Sequence, residues 1–338
     1  FSSYSSTWLQ HAERYVADMQ ARFGLKETSH VIEVAANDGY LLQYVKARGI
    51  PCLGIEPTAS TAAAARARGI DIVEDFFGVR LARELTAQGK QADLTAANNV
   101  LAHVPDINDF VAGFAELLKP QGVATFEFPH LLRLMAENQF DTIYHEHFSY
   151  LSLTAVRRIF AHNGLAVFDV EELPTHGGSL RVLAQRANSG AHAVTPRVAE
   201  MLAREDAAGM TAPGYYAGFQ ARADKIKNDF LVFLIEGHKA GKKVAAYGAA
   251  AKGNTLLNYA GVRPDLLPWV VDRNPSKQGK YLPGSRIPIV GEERLRAEHP
   301  DYIVILPWNL REEVMAQLDY IRAWGGRFVT AVPELRVV

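Results

Sequence analysis

From His30 onward, short apolar runs alternate with longer segments in which apolar residues recur every three or four positions. The short runs are rich in β-branched residues, which favours buried strands, and the longer segments have the spacing of helices. The strand candidates are HVIEVAAND, PCLGIEP, IDIVEDFF, QADLTAANNV and GVATFEF. Helices are predicted in YLLQYVKARG, in TASTAAAARARG and near residues 78–88 and 106–118. Strands separated by helices predict a parallel, doubly wound α/β sheet.

The pattern continues into three further regions. Phe148 to His162 predicts another helix, and GLAVFDVEEL and GGSLRVLAQRA predict two strands joined by the turn PTHGG. Ser189 to Lys239 has helical spacing, and a second alternation of strands and helices begins at KKVAAYG. We therefore predict a first domain over 1–190 that includes an N-terminal capped helix, a helical connector over 191–240, and a smaller α/β domain over 241–338.

Composition narrows the class of protein. The chain has 338 residues, of which 48% are hydrophobic and 22% charged, as expected for a globular protein. Its net charge is −1, so no basic field is available to bind nucleic acid. The single cysteine, Cys52, excludes an internal disulfide framework and a cysteine-based zinc cluster within these residues. No apolar run reaches the roughly 20 residues of a membrane helix, and no signal peptide is evident, so we expect no membrane partner and a cytoplasmic location.

The first strand-to-helix junction, VIEVAANDGYLL, has the character of a ligand-binding turn. Small residues let the backbone approach a ligand at the carboxyl ends of the strands, and Ala35, Ala36 and Gly39 gather there, with Glu33 at the strand end. A tight turn without a ligand requires the same small residues, so that alternative stays open. Glu56 in GIEPT, about 20 residues further on, can accept both hydroxyls of a ribose.

Further polar residues follow the third and fourth predicted strands. Asp75 and Phe76 are candidates to hold the exocyclic amine and the face of an adenine, and Asn98, Asn99 and His103 follow the fourth strand. This spacing fits either a dinucleotide or S-adenosylmethionine. Because the full G-x-G-x-x-G of a dinucleotide site is absent, S-adenosylmethionine is favoured.

The stretch FDTIYHEHFSYLSL places Tyr144, His145, Glu146 and His147 side by side. Three interpretations are open: a metal site, an acid/base centre or a solvated loop. The metal interpretation uses Asp141, His145 and His147, because His-x-His on an extended segment puts both rings on one side. Histidine also suits general acid/base chemistry, since its charge changes near neutral pH.

Several stretches together resemble the S-adenosylmethionine-dependent C-methyltransferases of deoxysugar biosynthesis, which act on nucleotide-linked 4-keto hexoses. The resemblance covers essentially the whole chain, and FDTIYHEHFSYLSL is its most specific part. The chain departs from the general methyltransferase pattern E-x-G-x-G-x-G at Ala35 and Asn37, which stand at the first two glycine positions. The other matching stretches are FSSYSSTW, VIEVAANDGYLLQ, GIEPT, NNVLAHVPDINDF, EFPHL, YGAAAKGNTLLN and VVDRNPSKQGKYLPGS.

The resemblance implies a class I methyltransferase Rossmann-like doubly wound sheet, followed by a helical connector and a second, smaller Rossmann-like α/β domain. It implies S-adenosyl-L-methionine as the cofactor, S-adenosyl-L-homocysteine as its product, and a nucleotide-linked 4-keto sugar, expected to be dTDP-linked, as the substrate. Family members usually also carry an N-terminal zinc-binding module built on cysteines, which is expected to lie upstream or to be absent. We predict no metal within these residues, and a monomer or weak homo-oligomer.

The resemblance also assigns residues. His147 is implied as the base that removes the proton at C3 of the sugar, with Tyr144 and Glu146 orienting sugar oxygens and His145 left without a settled role. Negative charge developing on the C4 oxygen needs a hydrogen-bond donor. Tyr144 is the first candidate for this donor, and His145 and Asn99 are the reserve candidates. The expected cofactor-binding residues are Glu33, Ala35, Asn37, Gly39, Tyr40, Leu41, Glu56, Pro57, Asp75, Phe76, Asn98, Asn99 and His103. The expected substrate-binding residues are Tyr4, Asn99, Lys252, Asn254, Asp272 and Lys280.

Alternatives remain at the level of sequence. YGAAAKGNT follows a predicted strand and opens a helix predicted from Ala251 to Tyr259, so its N-terminus can hold a phosphate or can simply be a tight turn between domains. An O- or N-methyltransferase acting on a sugar or natural product would use the same cofactor fold. A non-catalytic binding protein, with a degenerate turn at Ala35 and Asn37, is the third possibility.

Overall fold

The computed structural model describes residue 3 and residues 5–338, which separate into two compact units. The first unit comprises the chain up to Leu131 together with Phe148–Ala208. The second comprises Leu132–His147 together with Gly209–Val338. The segment Leu132–His147 therefore packs within the second unit, although the residues on either side of it in sequence belong to the first.

The first unit is built on a mixed sheet. Its strands are β1 (Val31–Val34), β2 (Cys52–Ile55), β3 (Ile72–Val73), β4 (Ala92–Asn98), β5 (Leu118–Pro129), β6 (Leu165–Leu173) and β7 (Ser179–Arg186). Among the described residues these form one seven-stranded sheet in the order β3-β2-β1-β4-β5-β7-β6. Strands β1 to β5 pair in parallel, whereas β7 is antiparallel to both β5 and β6; a short turn joins β6 to β7 and requires their antiparallel pairing. The predicted doubly wound α/β sheet is confirmed.

The second unit contains a smaller sheet. Its strands are β8 (Val244–Tyr247), β9 (Val270–Val271), β10 (Ile289–Val290), β11 (Tyr302–Ile305), β12 (Arg327–Thr330) and β13 (Arg336–Val337). In the described part of this unit they lie in the order β10-β9-β8-β11-β12-β13, with β13 alone antiparallel to its neighbour. The predicted second α/β alternation is confirmed, and it has the strand order of a Rossmann-like sheet.

Helices cover the sheets and bury their apolar sides in them. In chain order the described α-helices are α1 (Ser6–Phe23), α2 (Leu42–Ala47), α3 (Ala59–Ala67), α4 (Val79–Ala87), α5 (Ile107–Leu117), α6 (Leu131–Ala136), α7 (Leu153–His162), α8 (Pro196–Ala207), α9 (Phe219–Lys239), α10 (Ala251–Tyr259), α11 (Glu293–Glu298) and α12 (Arg311–Gln317). None of the helices in the described residues is both long and apolar enough to span a membrane.

Local signals account for the ends of α1. The Ser5 hydroxyl accepts a hydrogen bond from the Trp8 amide at 3.3 Å, and Gly24, with φ +62°, ends the helix. The predicted capped helix is therefore confirmed. Its buried residues Tyr15 and Met19 belong to an apolar cluster that includes strand residues of the first sheet.

The helix predicted from Phe148 to His162 starts later than expected. Only α7, Leu153–His162, is helical, because the Ser152 side chain caps it by accepting a hydrogen bond from the Ala155 amide at 3.1 Å. The Phe148 amide donates instead to the Ala102 carbonyl at 2.8 Å. The predicted start of this helix was wrong, whereas α10 has the predicted bounds.

Candidate active site

The turn after β1 has the backbone of a glycine-rich loop with a single glycine in it. Ala35 (φ 60°), Asn37 (φ 50°) and Gly39 (φ 76°) all have positive φ. This conformation costs an ordinary L-residue about 1–2 kcal/mol, less for asparagine when its side chain bonds locally. Asn37 Oδ1 does accept a hydrogen bond from the Asp38 amide at 3.0 Å. The substitutions at 35 and 37 are thus compatible with the tight path of the turn.

Glu33 is a buried carboxyl group at the end of β1. Glu33 is 1% exposed, and neither carboxylate oxygen has a hydrogen bond of ordinary geometry within the described residues. Burial raises the pKa of Glu33 well above its ordinary value; the Tyr40 hydroxyl opposes that shift, and the negative charges of Asp38 and Glu56 add to it. A buried carboxyl group with a strongly raised pKa at the end of a strand is a candidate ligand-binding group.

The carboxylate of Glu56 closes the same turn from the end of β2. Its two oxygens accept hydrogen bonds from the amides of Asn37 and Thr58, each at 2.9 Å, with Pro57 between Glu56 and Thr58 in the chain. A carboxylate can accept about four hydrogen bonds, so Glu56 retains acceptor capacity for ribose hydroxyls. The Glu56 carboxylate can thus accept hydrogen bonds from the backbone of the turn and from a bound ribose at the same time.

Tyr40 and Leu41 are buried in this region. Leu41 is fully buried, and burial raises the pKa of Tyr40 well above its ordinary value. The Tyr40 ring stacks on Trp8 with centroids 5.8 Å apart, and Trp8 also stacks on His11 at 4.9 Å. Trp8 and His11 were not predicted, because the contact of Trp8 with Tyr40 arises from the packing of α1 on the sheet.

Polar side chains also lie at the ends of β3 and β4. Asp75 accepts hydrogen bonds from Arg80 at 2.6 Å and from the Phe76 amide at 2.8 Å, and the bond from Arg80 lowers the pKa of Asp75. The Phe76 ring is 77% exposed, which suits stacking on a planar ligand. Asn98 Oδ1 and Asn99 Nδ2 are buried and have no partner in the part of the chain that the structure describes.

The parallel strands bring these residues to one edge of the first sheet, where their carboxyl ends meet. His103 ends the short helical turn Leu101–His103 that follows β4 and is half-buried. The predicted residues gathered there are Glu33, Ala35, Asn37, Gly39, Glu56, Pro57, Asp75, Phe76, Asn98, Asn99 and His103. Tyr4, a predicted substrate residue, lies outside the described residues.

The Tyr144–His147 motif belongs to the second unit and follows the short helical turn Phe140–Thr142. His147 Nδ1 lies 2.8 Å from the Thr142 carbonyl oxygen. Because a carbonyl only accepts, Nδ1 carries the proton, and in the neutral ring the basic lone pair is on Nε2. The Tyr144 ring lies against His147, with centroids 4.2 Å apart and planes at 32°. His145 and Glu146 are exposed.

Lys252 lies on the first turn of α10 and is half-buried. Its Nζ is 4.6 Å from the centroid of the Trp308 ring and donates a hydrogen bond to Asn309 Oδ1 at 3.3 Å. Burial lowers the pKa of Lys252, and the negative charge of Asp141 opposes that shift. Asn254 Oδ1, on the same helix, is buried without a partner in the described residues.

Asp272 closes the turn between β8 and α10 as Glu56 closes the turn of the first unit. Its carboxylate accepts hydrogen bonds from the Ala249 amide at 2.9 Å and the Asn274 amide at 2.8 Å. Lys277 Nζ lies 3.3 Å from the same carboxylate, and Lys280 is exposed. The second unit therefore repeats the arrangement of an acidic residue that follows the second strand of a Rossmann-like sheet.

The metal interpretation has no matching geometry. Within residues 3 and 5–338, no group of three or more His, Cys, Asp or Glu side chains is placed to hold a metal ion. Asp141, one of the three residues of that interpretation, accepts a hydrogen bond from Trp308 Nε1 at 2.7 Å.

A buried histidine–glutamate pair, His130 and Glu205, connects the residue that follows β5 to the start of α7 and to α8. His130 Nε2 donates to Glu205 at 2.8 Å, and the amides of Leu153 and Thr154 donate to the same carboxylate at 2.6 and 2.8 Å. Burial by itself raises the pKa of Glu205, but the hydrogen bonds from His130 and Thr154 outweigh burial and hold the pKa below its ordinary value. Glu205 was not predicted, because its partners are distant in sequence.

Two family models match the chain in succession. Residues 8–170 match a family described as a methyltransferase domain, and residues 174–333 match one described as the C-methyltransferase C-terminal domain. The C-methyltransferase NovU from Streptomyces niveus is 36% identical over 338 residues, which are 100% of this chain and 80% of that protein.

More distant likenesses cover about half of the chain. Magnesium protoporphyrin IX methyltransferase (ChlM) from Synechocystis PCC 6803, with bound SAH, has a TM-score of 0.42 and 15% identity over 53% of this chain and 83% of that chain. The PH0226 protein from Pyrococcus horikoshii OT3 has a TM-score of 0.45 and 14% identity over 54% of this chain and 92% of that chain. Likenesses this distant do not bear on the substrate.

Proposed function

The chain belongs to the C-methyltransferase family, and on that premise we propose that it transfers a methyl group from S-adenosylmethionine to C3 of a nucleotide-linked 4-keto deoxyhexose. The proposed substrate is dTDP-linked, and the proposed setting is cytoplasmic deoxysugar biosynthesis that serves antibiotic production. The observation that carries the proposal is the hydrogen bond from His147 Nδ1 to the Thr142 carbonyl, because it leaves a basic nitrogen at Nε2.

His147 is the proposed general base. Methylation of a carbon next to a ketone requires removal of an α-proton and stabilisation of the resulting enolate. A neutral imidazole is suited to take that proton near pH 7, for a rate gain of about 10² to 10⁴. When Nε2 takes the proton, the ring becomes cationic, and the hydrogen bond from Nδ1 to Thr142 becomes charge-assisted and stronger. The carbonyl therefore stabilises the product of the proton transfer.

Neighbours of His147 supply the remaining polar groups. Negative charge develops on the C4 oxygen, and Tyr144, whose ring lies against His147, is the proposed hydrogen-bond donor to it. Glu146 is proposed to orient sugar hydroxyls, which its exposed side chain allows. His145 and Asn99 are reserve donors.

The turn after β1 fits S-adenosylmethionine. Neither carboxylate oxygen of Glu33 has a hydrogen bond of ordinary geometry among the described residues, which suits the ammonium group of the cofactor. Glu56 keeps acceptor capacity for the ribose hydroxyls, and the exposed Phe76 ring suits the adenine face. Asp75 is the proposed acceptor for the adenine amine. When bound, S-adenosylmethionine supplies an electrophilic methyl group carried on a sulfonium.

The second unit is proposed to hold the nucleotide part of the substrate. Asp272 closes the turn before α10 with a carboxylate that is only partly used, and Asn254 has a buried amide oxygen without a partner in the described residues. Lys280 is an exposed cation that suits a diphosphate. Lys252 is a further candidate at the start of α10.

Replacement of His147 tests this function. The enzyme is incubated with S-adenosylmethionine and a panel of nucleotide-linked 4-keto sugars, and mass spectrometry determines whether the products have gained one methyl group. We expect His147→Asn to abolish methylation while calorimetry gives an unchanged affinity for S-adenosylhomocysteine. His162→Asn, a change at an exposed histidine in the last turn of α7, is the matched control. Wild-type turnover in His147→Asn would refute the base, and a methyl group found on oxygen or nitrogen would indicate a heteroatom methyltransferase.

A further inference from the structure

Asp141 is a buried carboxylate close in sequence to the proposed base. It is fully buried, and Trp308 Nε1 donates a hydrogen bond to its Oδ2 at 2.7 Å. Its other oxygen, Oδ1, has no hydrogen-bond partner in the described residues. Such a group lowers stability relative to an apolar side chain of the same size, so its presence calls for a function.

Lys252 completes a cluster with these two side chains, here named the Asp141 cluster (Asp141, Trp308 and Lys252). The Lys252 ammonium lies over the Trp308 indole, 4.6 Å from the ring centroid. Burial raises the pKa of Asp141 to about 6, and the charge of Lys252 opposes that shift. The cluster thus ties the segment Leu132–His147 to α10 and to the turn after β11, all within the second unit.

The cluster is linked to His147 through one short turn. Asp141 is the middle residue of the helical turn Phe140–Thr142, and Thr142 supplies the carbonyl that accepts the hydrogen bond from His147 Nδ1 at 2.8 Å. Phe140, the first residue of the same turn, packs its ring against Tyr259 with centroids 5.4 Å apart. Any rotation of the turn that moved Asp141 away from Trp308 would also move the Thr142 carbonyl away from the imidazole.

We propose that Asp141 is a positioning residue for His147: anchored by the hydrogen bond from Trp308, it holds the Thr142 carbonyl on Nδ1 and thereby keeps the basic lone pair on Nε2. This inference rests on the proposed role of His147 as the base. Lys252 then has a structural task in the second unit in addition to any contact with substrate.

The tautomer of His147 provides the direct test. Nitrogen NMR of histidine-labelled full-length protein distinguishes the two tautomers, and His147→Asn identifies the signal. We expect Nδ1–H in the wild type, and a mixture with Nε2–H in Asp141→Ala and in Trp308→Phe, which breaks the same hydrogen bond if Asp141→Ala fails to fold. We expect kcat to fall about 10- to 100-fold with the KM for S-adenosylmethionine within about twofold. Asp141→Asn keeps an acceptor for Trp308 and should retain more of the activity.

The outcomes separate the two proposals. Asp319→Asn, at an exposed aspartate paired with Arg322, is the control and should change neither quantity. A wild-type tautomer in folded Asp141→Ala or Trp308→Phe overturns the positioning role, even if kcat falls, since the loss would then come from general damage. A shifted tautomer combined with full activity of His147→Asn would keep the positioning role and reject the base.

Discussion

Glu33→Gln isolates the contribution of one buried carboxylate to cofactor binding. Glu33 has no hydrogen bond of ordinary geometry among the described residues, and the Tyr40 hydroxyl alone does not offset the burial of its charge, so the ionised form gains from a donor that a ligand supplies. A hydrogen bond to a charged group contributes about 1.5–3 kcal/mol. We therefore expect glutamine to weaken the binding of S-adenosylhomocysteine, which carries the same ammonium group, by roughly 10- to 100-fold in Kd.

Glu33→Gln should weaken cofactor binding without lowering the free energy of unfolding. Glutamine has the same shape as glutamate but does not bury a charge, so the free energy of unfolding of the ligand-free variant at pH 8 should equal or exceed that of the wild type. Because burial raises the pKa of Glu33, the stability that its neutral form contributes is complete below about pH 4 and is lost as pH rises through the folded-state pKa. The glutamine variant should lack this pH dependence.

Proton release provides the sharpest assay. An ammonium ligand needs the ionised carboxylate, so at a pH below the raised pKa of Glu33 its binding should release up to about one proton per site. Calorimetry in two buffers of different ionisation enthalpy measures that proton, which should disappear in Glu33→Gln. Glu116→Gln, at an exposed glutamate that pairs with Arg83, is the control. Wild-type affinity and proton release in Glu33→Gln would refute the assignment of Glu33 to the cofactor.

Three further predictions concern stability, measured by urea unfolding. Gly39→Ala should lower the free energy of unfolding by about 1–3 kcal/mol, because a Cβ there would overlap the Ile70 side chain and φ is +76°; an unchanged midpoint would contradict this. Ala35→Gly should raise it by up to about 1 kcal/mol by relieving positive φ, and a clear loss would show that the turn is not strained. Glu205→Ala should lower it by about 3–5 kcal/mol, since His130 and two backbone amides lose their acceptor, whereas Glu205→Gln should lose less; equal losses would argue against this.

Local patterns were sufficient to predict most of the first sheet. Apolar residues recur with different periods in strands and in helices, and glycines such as Gly49 and Gly69 end the helices that lie between the strands. The alternation of strands and helices alone therefore predicts that the strands pair in parallel. The residues at the strand ends, such as Glu33 and Glu56, then meet because parallel strands share one carboxyl edge. The start of α7 was missed because Phe148 forms a backbone hydrogen bond to Ala102 instead of beginning the helix.

Contacts between residues distant in sequence could not be predicted from the pattern. Asp141 and Trp308 are separated by 167 positions, and nothing near either residue indicates the other. His130 and Glu205 are likewise paired across 75 positions. The hydrogen bond between His147 and Thr142 is local, but it depends on the turn Phe140–Thr142, whose sequence has no glycine or proline to predict it.

Deuterium incorporation at C3 of the substrate tests the central claim, that His147 removes a carbon-bound proton before methyl transfer. The wild type, Glu116→Gln and His147→Asn are incubated in heavy water with the 4-keto sugar nucleotide and S-adenosylhomocysteine, so that no methyl group is transferred. Mass spectrometry and proton NMR then follow the C3 position. The wild type and Glu116→Gln should introduce deuterium at C3, and His147→Asn should not. Absence of exchange in the wild type, or wild-type exchange in His147→Asn, would contradict the proposed mechanism.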